Sequence, residues 1–308
     1  MKKLFLILIS VLLVSGCTYL PFDIPFLDSG GPNVTKLGPD VIVIQNINVI
    51  PSTSIRPSDS FSVYYEVKNQ DENEMISDVK YHLYDTGLCK FQPLEGGDDP
   101  TSLTTLGDFA PSETKLVEWN FQAPSADDIA HLRLNCPIKF KVNYPYQARS
   151  QIDVVVIDED RLRDLQRAGE DVIHIPTLSM GRGPIKIYFD FGNTLPVREN
   201  SNLSVYVKVK NEGVGSFGEI PTEGKTLNIH TDCNLIISCL DDYFACTGTL
   251  CVNILKPIPL INKETFEIRC LLQVPPGMDI EMEKTFYIYA ELDYDYDVLG
   301  EVNVGVNP

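Results

Sequence analysis

Hydrophobic and polar residues alternate along much of the chain. Val63, Tyr65 and Val67 alternate with more polar positions, and the same period of two recurs at 138–144. Strict alternation is typical of strands that place one face on a core and the other in water, as in antiparallel sheets. In the first half of the chain the pattern predicts strands separated by proline and glycine turn residues, at 41–49, 61–68, 79–84, 115–121, 138–146 and 152–157.

The same pattern is present twice. Residues 62–69 (SVYYEVKN) recur as 204–211 (SVYVKVKN), and two later matches follow in the same order, 117–124 with 268–275 and 144–146 with 294–296. An ordered set of matches indicates one unit present twice, with an insertion in the second copy. We therefore predict two domains, 40–158 and 184–308, each able to fold on its own.

The spacing of the predicted strands indicates the fold class. Roughly seven short strands per ~110 residues, with glycine and proline between them, is typical of an immunoglobulin-like β-sandwich, and a barrel is the alternative architecture. We predict an all-β fold of two tandem antiparallel immunoglobulin-like sandwiches.

A short helix is predicted in the linker, residues 159–183. Its acidic start at Asp158, basic middle and terminal Gly169 match the helix dipole and the helix stop signal. The helix either sets the angle between the domains or is a solvated connector whose Leu162 and Leu165 cover a sheet edge.

The N-terminus has the form of an export signal. Two lysines are followed by an apolar run from Leu4 to Val14, and small residues precede Cys17. This run is shorter than the roughly 18–20 residues that span a bilayer, and the order of regions is that of a secretory signal. The stretch Leu13-Val14-Ser15-Gly16-Cys17 resembles the lipobox of prokaryotic lipoproteins, which implies removal of residues 1–16 and lipidation of Cys17. An ordinary secretory signal with an incidental cysteine is the alternative.

Residues 17–39 are predicted to be a tether between the lipid and the first domain, because they are rich in proline and glycine and lack a hydrophobic period. The predicted location is therefore the extracytoplasmic face of the cell membrane. The formal charge is −18. Removal of residues 1–16 deletes two lysines and makes the charge more negative. Such acidity excludes nucleic acid as a partner, because that binding depends on lysine and arginine displacing counterions.

Seven cysteines remain after Cys17, in a chain predicted to be exported, where disulfides form. Cys89 and Cys136 are alone in the first repeat, so a bridge between them is the simplest prediction. The second repeat holds an odd number, which leaves one thiol free or paired outside the domain: Cys233, Cys239, Cys246, Cys251 and Cys270. A metal site is the alternative, but no pair has the spacing of a zinc knuckle.

The predicted insertion, 232–251, is a candidate binding loop, because long loops on rigid scaffolds often carry function. Its apolar residues form either a contact patch or a hairpin packed on its own sheet: Leu235, Ile236, Ile237, Tyr243 and Phe244. A second candidate is the acidic run Asp293, Asp295 and Asp297. On a strand these carboxylates share one face about 6.8 Å apart, which favours a solvated acidic face over a calcium site.

No catalytic motif stands out. Ser112 and Lys115 have the S-x-x-K spacing of penicillin-recognising acyl transferases, but they are predicted to lie in a turn before a strand rather than at the start of a helix. The four histidines are scattered along the chain. We therefore predict neither enzymatic activity nor a cofactor.

Together these features resemble prokaryotic surface lipoproteins with tandem immunoglobulin-like domains related to the bacterial cell-adhesion-related (CARDB) domain. The resemblance is carried by Val67-Lys68-Asn69, Val209-Lys210-Asn211-Glu212-Gly213, Pro111-Ser112-Glu113-Thr114 and the strand from Ala290 to Glu301. It implies a fold and a surface location rather than an activity.

The sequence is compatible with two functions. The first is a non-enzymatic, lipid-anchored surface protein that binds another surface protein or a glycan, adheres, or takes part in envelope assembly. The second is an accessory substrate-capture module of an extracellular hydrolytic system. A carbohydrate-binding face needs a row of exposed aromatic side chains, and Tyr287 with Tyr289 offers two.

Overall fold

The computed structural model of the protein describes residues 39–93, 101–170, 172–193, 195–232, 235–278 and 280–308. The signal sequence, Cys17 and nearly all of the predicted tether lie outside the described residues. Within them the chain is mostly β-strand in antiparallel sheets, as predicted. The strands of the first repeat are β1 (Ile42–Ile50), β2 (Ser54–Ile55), β3 (Ser60–Asn69), β4 (Ile76–Asp85), β5 (Lys90–Gln92), β6 (Thr104–Phe109), β7 (Thr114–Gln122) and β8 (Leu134–Ile157).

One helix, α1 (Glu159–Ala168), follows in the described part of the linker. The predicted linker also contains β9 (Leu178–Met180). The second repeat then contains β10 (Ile185–Phe191), β11 (Val197–Arg198), β12 (Asn202–Asn211), β13 (Glu219–Ile220), β14 (Leu227–Thr231), β15 (Ile236–Cys239), β16 (Ala245–Thr247), β17 (Leu250–Val252), β18 (Ile258–Pro259), β19 (Ile268–Gln273) and β20 (Glu283–Val306).

The two copies of the sequence repeat show the same order of strands. Each repeat has a four-stranded sheet of its own, β1-β3-β7-β5 in the first and β10-β12-β19-β15 in the second. Corresponding strands occupy corresponding places, and β3 buries alternate residues as its pattern predicts: Phe61, Val63, Tyr65 and Val67. The repeated sequence therefore specifies the same local sheet twice.

The remaining large sheet is shared between the repeats. Its main path runs β16-β17-β14-β20-β8-β4-β6, so strands of both repeats meet at its centre. There β8 and β20 pair antiparallel in continuous register from Ile157 opposite Glu283 to Leu134 opposite Val306. Each is 24 residues long, which corresponds to about 80 Å at ~3.4 Å per residue.

We call the antiparallel pair of β8 and β20 the ribbon. Its centre coincides with the repeated tyrosine motif. Pro145 lies opposite Asp295, Tyr144 opposite Tyr296 and Tyr146 opposite Tyr294. Because 144–146 and 294–296 are equivalent in the sequence repeat, the two repeats are related by a pseudo-twofold axis through the Pro145 and Asp295 pair. The four tyrosines pack edge to face around that axis.

The ribbon exchanges half-strands between the repeats. The N-terminal half of β8 pairs with β4 of its own repeat, whereas its C-terminal part is flanked by β9 of the linker and β11 of the second repeat. In the same way β14 flanks the first half of β20, and β2 of the first repeat flanks its end. The domain boundaries predicted at 158 and 184 therefore do not separate two independent sheets.

The prediction of two separate strands at 138–146 and 152–157 was wrong, because β8 continues through the residues between them. Residues 147–151 continue the alternation, because Ala148 and Ser150 point inward and are buried while Arg149 points outward. No glycine interrupts this segment, and the chain extends across the gap between the two predicted strands.

The first repeat packs its own sheet face to face with the shared sheet. Tyr65 of β3 stacks on Phe140 of β8 with ring centroids 4.2 Å apart, and Trp119 of β7 meets the same ring edge-on at 5.2 Å. Gly300 of β20 lies opposite Phe140, and a Cβ at Gly300 would overlap this ring. The last half of β20 is therefore part of the first repeat's core.

The repeated Val-Lys-Asn motif ends in a buried asparagine that organises a loop. Asn69 donates to the carbonyls of Glu74 and Ala110 at 2.8 and 3.1 Å. Asn211 donates to the carbonyl of Gly215 at 3.0 Å and accepts from the hydroxyl of Tyr296 at 3.0 Å. The asparagine thus fixes the loop that follows β3 in the first repeat and β12 in the second. In the second repeat it also contacts the ribbon.

The predicted helix is confirmed, together with both of its caps. The Asp158 side chain accepts from the backbone N–H of Asp160 and Arg161, and Gly169 ends the helix in the left-handed conformation. Leu162 and Leu165 are only half-buried, which favours a solvated connector. No helix among the described residues is long and apolar enough to cross a membrane.

Candidate functional site

The cysteines of the first repeat form one bridge. Cys89 precedes β5, Cys136 lies in β8, and their disulfide links the first repeat's own sheet to the shared sheet. This is the pair that the sequence analysis favoured. Both cysteines are buried, so the bridge lies in the interior rather than at a reactive surface.

Four of the five cysteines of the second repeat form two further bridges. Cys239 of β15 bonds to Cys270, which lies directly opposite it in β19. Cys246 bonds to Cys251 across the β16-β17 hairpin. The fifth, Cys233, lies outside the described residues. Cys270 occupies the place of Trp119 in the repeat, so a disulfide of the second core stands where the first has an aromatic ring.

The candidate loop at 232–251 contains β15, β16 and the start of β17. Leu235, Ile237 and Phe244 are buried, so the packed hairpin describes them better than a contact patch. Ile236 is exposed, and Tyr243 packs on Phe266 with ring centroids 5.2 Å apart.

The same segment is less of an insertion than the sequence suggested. β15 takes the place that β5 has in the first repeat, and β17 takes the place of β6. Among the strands described for the first repeat, β16 has no counterpart.

The acidic run lies on the outer face of β20, where lysines neutralise part of it. Asp297 accepts from Lys141 and Asn143, each at 2.8 Å. Asp295 forms an ion pair with Lys225, and Asp293 is exposed. Within the described residues, the group whose ligand atoms lie close enough to hold a metal ion consists instead of cysteines, Cys239, Cys246 and Cys251.

A groove lies beside the centre of the ribbon, at the junction of the repeats. A cavity of about 150 Å³ there shares Glu74, Tyr146 and Gln147 with a neighbouring cavity of about 400 Å³. We call the smaller one the junction groove. Its principal side chains are Glu74, Tyr146, Gln147, Arg149, Gln151, Arg182, Tyr289 and Glu291.

Side chains of both charges are held in place in this groove. The Tyr146 hydroxyl donates to Glu74 at 3.0 Å, and Arg149 of β8 pairs with Glu291 of β20 at 3.6 Å. Arg182 pairs at 3.3 Å with the buried carboxylate of Asp71. Burial raises the pKa of Tyr146 above its usual value, with Glu74 adding to the effect, so the hydroxyl remains a hydrogen-bond donor at neutral pH.

An aromatic platform borders the groove on β20 and β14. His230 stacks on Tyr289 with ring centroids 5.0 Å apart, and Tyr287 lies 6.2 Å from Tyr289. Burial lowers the pKa of His230, which favours its neutral form. Asp232 accepts from the backbone N–H of Tyr287 at 2.8 Å, and burial raises the pKa of this carboxyl.

His174 has a hydrogen-bonding partner that the sequence pattern did not reveal. Its Nε2 lies 2.6 Å from Asp153, which also accepts from the backbone N–H of Thr177. These contacts hold the linker against β8. Because 21 residues separate His174 from Asp153, no short motif indicates the pair.

The arrangement of the junction groove suits reversible binding. Hydrogen-bond donors, acceptors and charges of both signs converge beside aromatic rings on strands contributed by both repeats. The sequence alone did not reveal this groove, because predicting it requires knowledge that β8 and β20 are neighbours.

Comparisons with known proteins identify no relative. Neither a protein-family model nor a curated protein matches the chain. Among solved structures, Bacillus subtilis oxalate decarboxylase at pH 4.6 aligns with 86% of this chain and 79% of that chain, at 8% identity and a TM-score of 0.11. A mutant of the same enzyme aligns with 86% of this chain and 80% of that chain, at 8% identity and the same TM-score. A likeness this low carries no argument about fold or activity.

Proposed function

We propose that this protein is a lipid-anchored, non-enzymatic surface protein that binds another surface protein or a glycan through the junction groove. In this proposal each repeat, completed by the half-strand it receives from the other, is an immunoglobulin-like sandwich. The observation that carries the proposal is the convergence of Arg149, Tyr289 and Glu291 from β8 and β20 beside a cavity.

The position of the groove supports binding. Ligand sites occur preferentially where two structural units meet, lined by apolar surface with a few oriented polar groups. Here the units are joined by a continuous ladder, and Arg182 is held by buried Asp71. A groove that is already formed loses little conformational entropy when a partner binds.

The chemistry of the groove indicates the class of partner. Arg149 and Arg182 can bind carboxylates or other polar acceptors, and Glu74 and Glu291 can accept hydrogen bonds from hydroxyl or amide groups. Tyr289 adds an aromatic ring that stacks on sugars or apolar side chains. These features favour a protein or glycan surface.

The anchor is the other half of the proposal. Cys17 and its apolar leader are supported by the lipobox resemblance, and the 23 residues from 17 to 39 reach at most about 75 Å at ~3.3 Å per residue. That reach would allow the groove to contact molecules beyond the headgroup region.

Replacing the proposed lipid acceptor should release the protein. We expect Cys17→Ser to move it from the membrane fraction to the soluble fraction, because the lipid is the anchor proposed here. A mature lipoprotein of this kind would carry more than one chain, since a single acyl chain anchors only marginally. The measurement is sedimentation followed by mass spectrometry of the N-terminus. A Cys17→Ser protein that still sediments with membranes contradicts the anchoring proposal.

Removing two groove side chains should weaken binding. In a pull-down from envelope extract with isotope-labelled quantification, and on a glycan array, we expect the double variant Arg149→Ala/Tyr289→Ala to lose a partner retained by the unmodified protein. Losing two central contacts costs about 2 kcal/mol or more, roughly 30-fold in affinity.

Arg167→Ala is the matched control, because Arg167 is an exposed arginine of α1. It should leave binding unchanged. Equal recovery of every partner by the groove variant and the control would exclude the junction groove as the binding site. A glycan as the lost ligand would favour the substrate-capture function, which the platform of His230, Tyr287 and Tyr289 supports.

A further inference from the structure

Four cysteines of the second repeat bring their sulfur atoms together at one edge of the molecule. The Sγ atoms of Cys239, Cys246 and Cys251 all lie within 4.8 Å of one another, and the Sγ of Cys270 is bonded to that of Cys239. Two sulfurs come from the β15-β19 ladder and two from the β16-β17 hairpin. These ladders belong to different sheets, so the four sulfurs, which we call the sulfur cluster, lie where two sheet edges meet.

We propose that the reduced sulfur cluster is a four-thiolate site for a soft divalent cation of the zinc class. This inference is independent of the binding function proposed above. In the sequence, disulfides were favoured over a metal site because no cysteine pair has the spacing of a zinc knuckle. In the structure, two cross-strand pairs bring the cysteines together without such a motif.

Three of the four sulfurs, those of Cys239, Cys246 and Cys251, already lie within 4.8 Å of one another. A tetrahedral zinc site with Zn–S bonds of ~2.3 Å places its sulfurs about 3.8 Å apart. Cys239 and Cys270 face each other across one ladder, and Cys246 and Cys251 face each other across another. Rotation about the Cα–Cβ bonds can therefore bring each pair to one ion while the backbone pairing is kept.

The surroundings suit thiolate ligands. Cys251 and Cys270 are buried, and Cys239 and Cys246 are half-buried, so the ion would be largely shielded from water. The backbone N–H of Cys239 donates to the Sγ of Cys246 at 3.2 Å. A hydrogen bond of this kind stabilises negative charge on sulfur and holds the ligand in orientation.

The two states are related by a balanced redox step. Reduction of two disulfides to four thiols takes four electrons and four protons. Two equivalents of a dithiol supply both and become disulfides, whereas two equivalents of a phosphine supply the electrons and become phosphine oxide, with the oxygen and the protons coming from two water molecules. Binding of one divalent cation by all four then releases four protons to solvent. Because oxidation removes the ligands, metal loading and disulfide formation exclude each other in this cluster.

Cobalt titration of the reduced protein tests the proposal. The mature chain would be reduced anaerobically with a phosphine, freed of reductant by gel filtration and titrated with Co²⁺ and then with Zn²⁺. We expect one Co²⁺ per chain with the thiolate charge-transfer and visible bands of a tetrahedral tetrathiolate, and displacement of Co²⁺ by Zn²⁺. Failure to bind a stoichiometric ion overturns the proposal.

Matched cysteine pairs identify the ligands. Cys246→Ala/Cys251→Ala should abolish the cobalt spectrum, whereas Cys89→Ala/Cys136→Ala, which also removes one disulfide, should retain it. A spectrum that survives the first change or disappears with the second contradicts the assignment. X-ray absorption of the zinc-loaded unmodified protein adds a readout that does not depend on how the variants fold. Four sulfurs in the first coordination shell are expected, and fewer than four would exclude the cluster.

Discussion

Residues 39–158 and 159–308, produced as separate fragments, should each fail to unfold cooperatively, and mixing them should restore a folded one-to-one complex. The reason is the exchange of half-strands between β8 and β20. Each fragment alone lacks a strand of its own half of the shared sheet, and its long strand exposes a ladder of unpaired backbone groups. Circular dichroism, thermal melts and analytical ultracentrifugation of the fragments and of their mixture measure the effect.

The expected loss is comparable to the stability of a whole domain. The last half of β20 buries Val298, Val304 and Val306 against the first repeat. Burial of a valine side chain contributes about 1.5–3 kcal/mol, so these three residues contribute roughly 5–9 kcal/mol out of the ~5–15 kcal/mol typical of a domain. At the centre of the ribbon, Tyr144 and Tyr146 also lose their contacts with the rings of Tyr296 and Tyr294.

Two truncations of the intact chain make the fragment experiment specific. A chain that ends after Val306 keeps the entire ribbon and should melt like the unmodified protein, whereas one that ends after Asp297 should destabilise the first repeat. Cooperative, monomeric melts of both fragments in isolation would show that the repeats are independent domains. A fragment 39–158 that forms a symmetric dimer through β8 would instead support strand exchange, because its own β8 replaces β20.

Removal of the Cys89 and Cys136 bridge should lower the free energy of unfolding by about 4 kcal/mol on the loop-entropy model. The bridge closes a loop with a sequence separation of 47 and joins the first repeat's own sheet to the shared sheet. Cys89→Ala/Cys136→Ala is the suitable variant, because both positions are buried and alanine adds no unpaired polar group. Urea denaturation under non-reducing conditions provides the measurement.

The hairpin bridge of the second repeat is the internal control. Cys246 and Cys251 are separated by five positions, for which the same model assigns about 2 kcal/mol. Cys246→Ala/Cys251→Ala should therefore shift the urea midpoint about half as far. Equal shifts, or a larger shift for the hairpin variant, would show that loop closure does not determine the contribution of these bridges.

The strands and the helix could be predicted because their signals are local. The inward positions of β3 are hydrophobic at a period of two, and a strand has no other way to place Val63, Tyr65 and Val67 on one face. Asp158 and Gly169 end α1 through contacts within a few residues of the chain. The ordered repeat likewise predicted two copies of one sheet, since equivalent sequences form equivalent strand orders.

The path of the chain between Tyr146 and Ile152 could not be predicted from the local sequence. The alternation in this segment is compatible both with a turn between two strands and with one long strand. What decides is the pairing with 283–295, more than 130 positions away in sequence. The junction groove depends on the same pairing, because Arg149 and Tyr289 are brought together only when β8 and β20 are neighbours.

The sequence by itself determined the all-β composition, the repeat, the linker helix and the parity of the cysteines, since each depends on residue type and short spacing. Tertiary structure decided the exchange of half-strands, the burial of Leu235 and Ile237, and the pairing of Cys239 with Cys270. Each of these depends on which strand lies alongside another. Backbone hydrogen bonding between strands is indifferent to sequence separation, so a local pattern specifies that a strand forms but leaves its partner to the packing of the whole chain.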